Sequence, residues 1–479
     1  MNFSMILYIL GWILEFEAGF MLLPCIVAAV YGEEQGIVYF MVAVISAFIG
    51  FWIVRKKPKN KVFYTREGFV VVALSWLLLS FVGALPFIFT GEIPKIEDAL
   101  FEIVSGFTTT GASILTDVEA LSHTSLFWRS FTHWIGGMGV LVFILAILPM
   151  TGGYNMHLMR AESPGHQVGK LVPRVRESAM ILYKIYFVLT LSQIIILLIA
   201  GMPLFDSLTL SFGTAGTGGF GIRNDGIASY TYAQQTIITI FMAVFGVNFG
   251  VYFLIVQKKF KQAVKAEEVR YYLCVLITAT LIIAVNIKDM FSSFGEALHH
   301  SAFQVSSIMT TTGYSTVDFD LWPSEAKTIL VLLMFIGACS GSTGGGMKVS
   351  RILILAKTIK KELLSLIHPR SIKKIQIEGR VIEHEVLRSV NVFFAAFMLI
   401  VAGSVFLISF DGCDFSTNFT AVAATINNIG PGLSKVGPMT NYSHFSAFSK
   451  LVLIFDMLIG RLEVFPMLLL ITPATWKKG

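Results

Sequence analysis

Ser306-Ser307-Ile308-Met309-Thr310-Thr311-Thr312-Gly313-Tyr314 is the stretch on which the reading of this chain turns, because it recurs. Its clearest copy is Val104-Ser105-Gly106-Phe107-Thr108-Thr109-Thr110-Gly111-Ala112. Ala215-Gly216-Thr217-Gly218-Gly219 is a looser third version and Asn427-Asn428-Ile429-Gly430-Pro431 a fourth. A short polar run ending in glycine, set in apolar surroundings, is what a backbone-lined ion filter requires. Its carbonyls must turn inward to replace an ion's water shell, and glycine reaches the needed φ/ψ without a Cβ clash. A single Thr-Gly turn carries little weight. Four of them, spaced by 107, 95 and 117 residues, make a repeat.

The surroundings are those of a bilayer. Of 479 residues, 55% are hydrophobic and only 14% charged, with a mean hydropathy of +0.74; a soluble domain carries roughly 25% charged residues. Apolar runs of about 20 residues recur from end to end, long enough to cross a hydrocarbon core of ~30 Å. The chain therefore reads as an all-α polytopic membrane protein, with the lipid bilayer and not nucleic acid as its partner. Cys25, Cys274, Cys339 and Cys413 show neither CxxC nor His-ligand spacing, so no zinc site or disulfide framework is indicated. No HExxH occurs, and the adjacent His299 and His300 read as structural. Met5 to Val30 lacks a basic n-region and a small-residue cleavage site, and reads as a retained span.

Of the 36 Lys and Arg, 28 fall in residues 54–67, 156–184, 257–270, 347–388 and the tail with Lys477 and Lys478. The positive-inside rule makes these segments, and both termini, cytoplasmic. Glu92, Glu97, Asp98, Glu102, Asp117, Glu119, Asp318, Asp320 and Glu325 mark the opposite side. Acidic outer vestibules would concentrate cations; merely solvated loops are the alternative.

Taken in order, spans near 5–30 and 36–54 come first, with Glu15 and Glu17 either buried or at an interfacial helix start. A unit of span, half-length helix, filter and span then recurs four times. Its outgoing spans lie near 68–90, 179–201, 271–288 and 389–410, its returning spans near 125–150, 232–256, 326–355 and 447–471. Asp98, Asp206 and Asp414 are expected to open three of the short helices, and Phe294 the other. Ten helical residues reach about 15 Å, half a membrane, so such a helix can re-enter but not cross. Its C-terminus then points partial negative charge at the filter and favours a cation. Gly136, Gly246, Gly337 and Gly460 fall 24 to 30 residues past the filter glycines and are expected to occupy equivalent places. The count is ten crossings, two N-terminal and eight in four pseudo-symmetric repeats around one pore. The divisions are 1–60, 61–155, 156–262, 263–370 and 371–479.

At these residues the chain resembles the Trk/Ktr/HKT superfamily of potassium transporters, and within it the TrkH/TrkG type of membrane subunit. The resemblance covers nearly the whole chain, including the two extra N-terminal spans. It rests on His133-Trp134-Ile135-Gly136-Gly137-Met138-Gly139, on Gly165 through Ser178, on Gly341-Ser342-Thr343-Gly344-Gly345-Gly346-Met347-Lys348, and on Asn427 through Gly432. It implies K⁺ held by filter backbone carbonyls, a homodimer in the bacterial inner membrane, and a cytosolic TrkA-type nucleotide-binding regulatory subunit. Carried over by residue, the filters are Thr109-Thr110-Gly111, Gly216-Thr217-Gly218, Thr311-Thr312-Gly313 and Asn428-Ile429-Gly430. Relatives with Ser in the first filter lean toward sodium, so Gly111 implies potassium. The departures in filters 2 and 4 imply modest K⁺/Na⁺ discrimination.

Gly341-Ser342-Thr343-Gly344-Gly345-Gly346 interrupts the third returning span, where so many glycines cannot hold a regular helix well. An unwound stretch below a filter can block permeation, and the family implies that it is the intramembrane gate. It fails as GxxxxGK[ST], since Lys348 stands two residues past Gly346 without a following Ser or Thr; a packing notch is the other alternative. Arg461 lies within a span, where it either pairs with Asp456 or Glu463 or faces the pore and opposes cations.

Two other functional classes are weighed against ion permeation. A secondary transporter with broken helices would show two inverted halves rather than four parallel units. An intramembrane enzyme is disfavoured because no GxSxG or paired-carboxylate motif accompanies His133, Ser105 and Asp98. The chain is thus expected not to be an enzyme. Channel-like flow and H⁺ or Na⁺ symport stay open.

Overall fold

A bilayer leaves a chain two ways to satisfy its backbone, and this one takes the helical way. The computed structural model describes residues 1–58, 64–139, 175–368, 374–377 and 380–476. Most of the basic stretch 156–184, Lys59, Lys61, Lys477, Lys478 and most of the Gly165–Ser178 motif lie outside them. Six helices among the described residues are long and apolar enough to cross a membrane: Phe3–Tyr31, Gln35–Arg55, Arg66–Thr90, Ala179–Ile199, Glu267–Met290 and His384–Asp411. The first two are the extra N-terminal pair, and each of the others opens one repeat. Among the described residues, strand is confined to a two-residue antiparallel ladder, Gln376–Ile377 with Arg380–Val381, in the basic arm.

The four short helices are present as Ile96–Phe107, Leu204–Gly216, Phe294–Met309 and Phe415–Ile426. They are called pore helices 1 to 4 below. Asp414 caps the fourth by accepting from the Thr417 amide. Asp98 and Asp206 instead sit inside the first turn, behind Lys95 and Pro203, where they favour the positive helix end without capping it.

The returning segments depart from expectation. An interrupted span is expected only in repeat 3, but every return helix ends early. His123–Met138 stops at Gly139, and the rest of the expected 125–150 span lies outside the described residues. Tyr232–Phe245 breaks, and Phe249–Val256 continues at 91°. Ser324–Ile336 gives way to the glycine loop before Val349–Ile367. Ala447–Leu462 ends at Glu463, whose φ is +66°, before Val464–Ile471. The signals are small: Gly246 with Asn248, whose side chain caps the next helix by accepting from the Gly250 amide, and a lone acid at 463.

These breaks also undo part of the expected glycine register. A methyl group built on Gly136 would run into the Phe107 carbonyl oxygen, and one on Gly460 into that of Ile426. Those two are equivalent. Gly246 packs instead on the Tyr272 hydroxyl, and Gly337 on the backbone of Gly345 and Lys348; Gly344 approaches the Thr310 carbonyl, one residue past the counterpart of Phe107 and Ile426. Counting residues along a chain cannot follow a helix that unwinds between the counted positions.

The N-terminal hairpin docks on repeat 1 through its turn. Glu33 accepts from the amides of His123 and Thr124 at 2.8 and 2.9 Å and from the Thr124 hydroxyl at 2.6 Å, so it caps the first return helix from outside. Glu17 is buried against the third span at Gly83, and Glu15 is half-buried beside Gly50. Burial alone would raise the Glu33 carboxyl, but hydrogen bonds from Thr124 and His123 hold it below its ordinary value. A depressed folded-state pKa contributes stability above the unfolded value of about 4.3, lost as pH falls through the folded value. Glu33→Gln should therefore lower the thermal midpoint at neutral pH, and the gap to wild type should close on acidification below about pH 4. Thermal unfolding in detergent across that range checks it.

Candidate ion filter and gate

Each pore helix ends the same way, and the ending builds the filter. The amides of Thr109, Thr217, Thr311 and Asn428 bond three residues back, to Gly106, Thr214, Ile308 and Thr425. The amides of Thr110, Gly218, Thr312 and Ile429 bond five back, to Ser105, Gly213, Ser307 and Ala424. This pair of bonds is the Schellman closure, which puts one residue in the left-handed region, usually glycine. Here that residue is Thr109, Thr217, Thr311 or Asn428, with φ between 54° and 61°. A side chain there costs about 1–2 kcal/mol, and such outliers collect at functional sites.

Two residues on, Gly111, Gly219, Gly313 and Gly430 return to positive φ, at 80°, 79°, 85° and 96°. The geometric counterpart in repeat 2 is thus Gly219, and the stretch that superposes on the other three loops is Thr217-Gly218-Gly219. The expected Gly216-Thr217-Gly218 is one residue early, because matching Thr-Gly to Thr-Gly by eye ignores which residue carries the turn.

These glycines join the loops into a ring. A methyl on Gly111 would run into the Gly218 carbonyl oxygen, on Gly219 into that of Thr312, and on Gly313 into that of Ile429; on Gly430 it would lie 2.8 Å from that of Thr110. Loop 1 abuts 2, 2 abuts 3, 3 abuts 4, and 4 abuts 1. All four glycines line one open mouth of about 320 Å³ with Tyr314, Pro431 and Tyr442.

The carbonyl oxygens of Thr109, Thr110, Thr217, Gly218, Thr311, Thr312, Asn428 and Ile429 accept no hydrogen bond from any described residue. Their owners are buried. Buried carbonyls are nearly always paired, so eight without a donor among the described residues are oxygens of the kind a desolvated cation needs.

The outer acids are mostly engaged. Asp98 pairs with Lys450 at 2.5 Å, Asp206 with Arg223 at 3.2 Å, and Asp117 and Glu119 hold Asn224. Glu102 is buried behind filter 1, where it pairs with Arg129 at 2.5 Å and accepts from Ser113 and the Ile114 amide. Arg129 also donates to the Gly221 carbonyl and stacks 3.6 Å over the Phe220 ring, tying repeat 1 to repeat 2. His299 and His300 bond to Gln235 and Thr316.

The loop Gly341–Gly346 lies directly under filters 3 and 4. The Gly345 amide donates to Thr311 Oγ1 at 2.7 Å. Methyls on Gly344 and Gly345 would come within 3.0 Å of the Thr310 and Asn427 carbonyls. Only glycine fits there. The loop also interlocks with the break in the second return helix: Cys339 N to Gly246 O at 3.0 Å, Phe249 N to Gly341 O at 2.9 Å, and Thr343 Oγ1 to Phe245 O at 3.3 Å. Ser342 bonds back to Cys339.

Arg461 is buried and donates to the carbonyls of Thr343 (2.8 Å), Gly137 (2.7 Å) and Gly136. Glu463 pairs with Arg351 at 2.5 Å and Asp456 accepts from Ser404 at 2.7 Å, so both carboxylates have other partners. Lys348 Nζ turns back to the Gly344 carbonyl.

The profile of the TrkH family, described as cation transport protein, matches residues 33–478. The Trk system potassium uptake protein TrkH of Salmonella typhimurium is 38% identical over 487 aligned residues, covering 100% of both chains. The Trk system potassium uptake protein TrkG of Escherichia coli K12 is 33% identical over 468, covering 95% of each. The crystal structure of the potassium transporter TrkH from Vibrio parahaemolyticus superposes with a TM-score of 0.89 at 33% identity, covering 100% of both.

Removing one partner of a buried ion pair leaves the other unpaired, at about 3–5 kcal/mol. Glu102→Ala should lower thermal stability strongly, and Glu102→Gln, the residue type at Gln304 in repeat 3, much less. Unfolding midpoints of the two variants decide it.

Proposed function

This chain belongs to the TrkH family of cation transport proteins, and from that premise we propose that it carries potassium ions through the ring of four filters. It is a bacterial membrane protein of the Trk potassium uptake type. The observation that carries the filter reading is the set of eight buried carbonyls without a donor among the described residues, held by four matching helix endings. An ion that leaves its water shell needs oxygens already aimed and already desolvated, and a backbone that cannot relax around them. Gly111, rather than a bulkier residue, keeps the first loop flush with the others.

The glycine loop is the gate in this reading. It stands beneath filters 3 and 4, bonded to Thr311, and Arg461 pins it to the end of the first return helix. Arg461 also places a positive charge beneath the ring, which opposes a cation in the pathway. Opening requires the loop to leave. Val349–Ile367 continues from it and carries Lys357, Lys360 and Lys361, so the helix is a lever on which a cytosolic TrkA-type nucleotide-binding subunit can pull. The working assembly is a homodimer in the inner membrane with both termini in the cytoplasm, as the basic loops favour.

Current–voltage curves on purified protein in planar bilayers test the conclusion. A reversal potential that follows the K⁺ gradient alone gives passive flow, one that also moves with pH or Na⁺ gives coupled uptake, and one indifferent to K⁺ ends the proposal. Arg461→Ala should raise K⁺ flux several-fold, since it removes both the pin and the charge. Unchanged or lower flux from folded protein would count against the gate.

A further inference from the structure

Three of the four filters are braced from behind by their own side chains. Thr108 Oγ1 donates to the Val104 carbonyl at 2.6 Å and lies 2.8 Å from Thr110 Oγ1. Thr310 and Thr312 repeat this, with the Ser306 carbonyl at 2.6 Å and 2.8 Å between hydroxyls. In filter 4, Asn427 donates to the Ala423 carbonyl at 2.9 Å. Filter 2 has glycine at both equivalent positions, Gly216 and Gly218. Its own residues supply no brace.

The space is filled from another repeat. His133, on the first return helix, is fully buried, and a methyl on Gly218 would run into its ring. The ring bridges repeats 1 and 2: the Phe220 amide donates to Nε2 at 3.3 Å, and Nδ1 lies 2.8 Å from the Gly106 carbonyl oxygen. An amide can only donate and a carbonyl only accept, so the proton is on Nδ1 and the ring is neutral. Gly218 itself lies outside the left-handed region, so what bars a side chain there is space, and the His133 ring supplies the three nearest atoms.

We propose that His133 is the selectivity-positioning residue of filter 2, an imidazole lent by repeat 1 in place of the threonine brace that filter 2 lacks. It touches no ion; it sets where the Thr217 and Gly218 carbonyls stand against filter 1. The proposal rests on the potassium reading above.

The test is a double-mutant cycle on the full-length protein in bilayers, read as the K⁺/Na⁺ permeability ratio from reversal potentials. His133→Ala should lower the ratio about ten-fold, the size expected when buried hydrogen-bond partners go unpaired. Gly218→Thr should lower it as well, by clash. The double variant, with space restored and a threonine side chain in it, should recover to within about threefold of wild type, because the two sites couple. A wild-type ratio in His133→Ala, or a double variant no better than the worse single, overturns the brace. If His133→Ala does not fold, His133→Gln, which still donates and accepts, should keep more discrimination than His133→Leu; equal ratios overturn the idea. Absence of K⁺ preference in wild type strikes the potassium reading instead, and thermal unfolding then reads the brace. Gly218→Thr should destabilise the protein with His133 present and not in the His133→Ala background, and equal destabilisation in both overturns it.

Discussion

A backbone carbonyl buried in a membrane protein needs a donor, and eight of them in one ring of loops have none among the described residues. The rest of the structure follows from holding that unfavourable arrangement in place. The amides of the same loops are tied back into the pore helices, so the peptide planes cannot flip to satisfy the oxygens locally. Left-handed Thr109, Thr217, Thr311 and Asn428 turn the chain sharply enough to do this, at a conformational cost that only dense packing can offset. The glycines two residues later let each loop come against the carbonyl of the next. Strain, burial and ring closure are one feature seen from three sides.

Fourfold geometry does not mean fourfold chemistry. Identical backbone endings are supported differently: by threonine pairs in filters 1 and 3, by asparagines in filter 4 and by an imported imidazole in filter 2. A single chain allows this, because each repeat can change while its neighbours compensate. The Asn428 side chain, for instance, donates to Thr110 Oγ1 and so fastens the last filter to the first. The same freedom lets one return helix give way to a glycine loop. The break at Phe245–Asn248 receives the glycine loop of repeat 3, and Arg461 of repeat 4 holds that loop to repeat 1, so all four repeats meet beneath the filter.

Much of this was legible in the residues. Apolar runs of membrane length marked the spans, and the match of Phe101 to Ser105 with Phe303 to Ser307 put two pore helices in register. Glycine after a polar run marks three of the four left-handed loop endings, at Gly111, Gly313 and Gly430. In repeat 2 the expected stretch sits one residue before the turn's counterpart, since Gly216, Thr217, Gly218 and Gly219 offer several matches to Thr-Gly and only the turn itself chooses among them. The broken second and fourth return helices were missed because Gly246 with Asn248, and Glu463, are ordinary residues until their partners are known. Arg461 stood out at once as a buried charge, but its partners are backbone carbonyls, which every residue has and no sequence pattern marks.

The sequence by itself determined what depends on composition and spacing: a helical membrane protein, its four repeats and the loops that carry glycine. Those are properties of short stretches, settled by hydropathy and by local backbone preference. Only the tertiary structure decided which glycine faces which carbonyl, that His133 stands behind Gly218, and that Arg461 reaches Thr343 across more than a hundred residues. These contacts join segments from different repeats, and their identity is set by how the helices pack around a common axis, which no single stretch encodes.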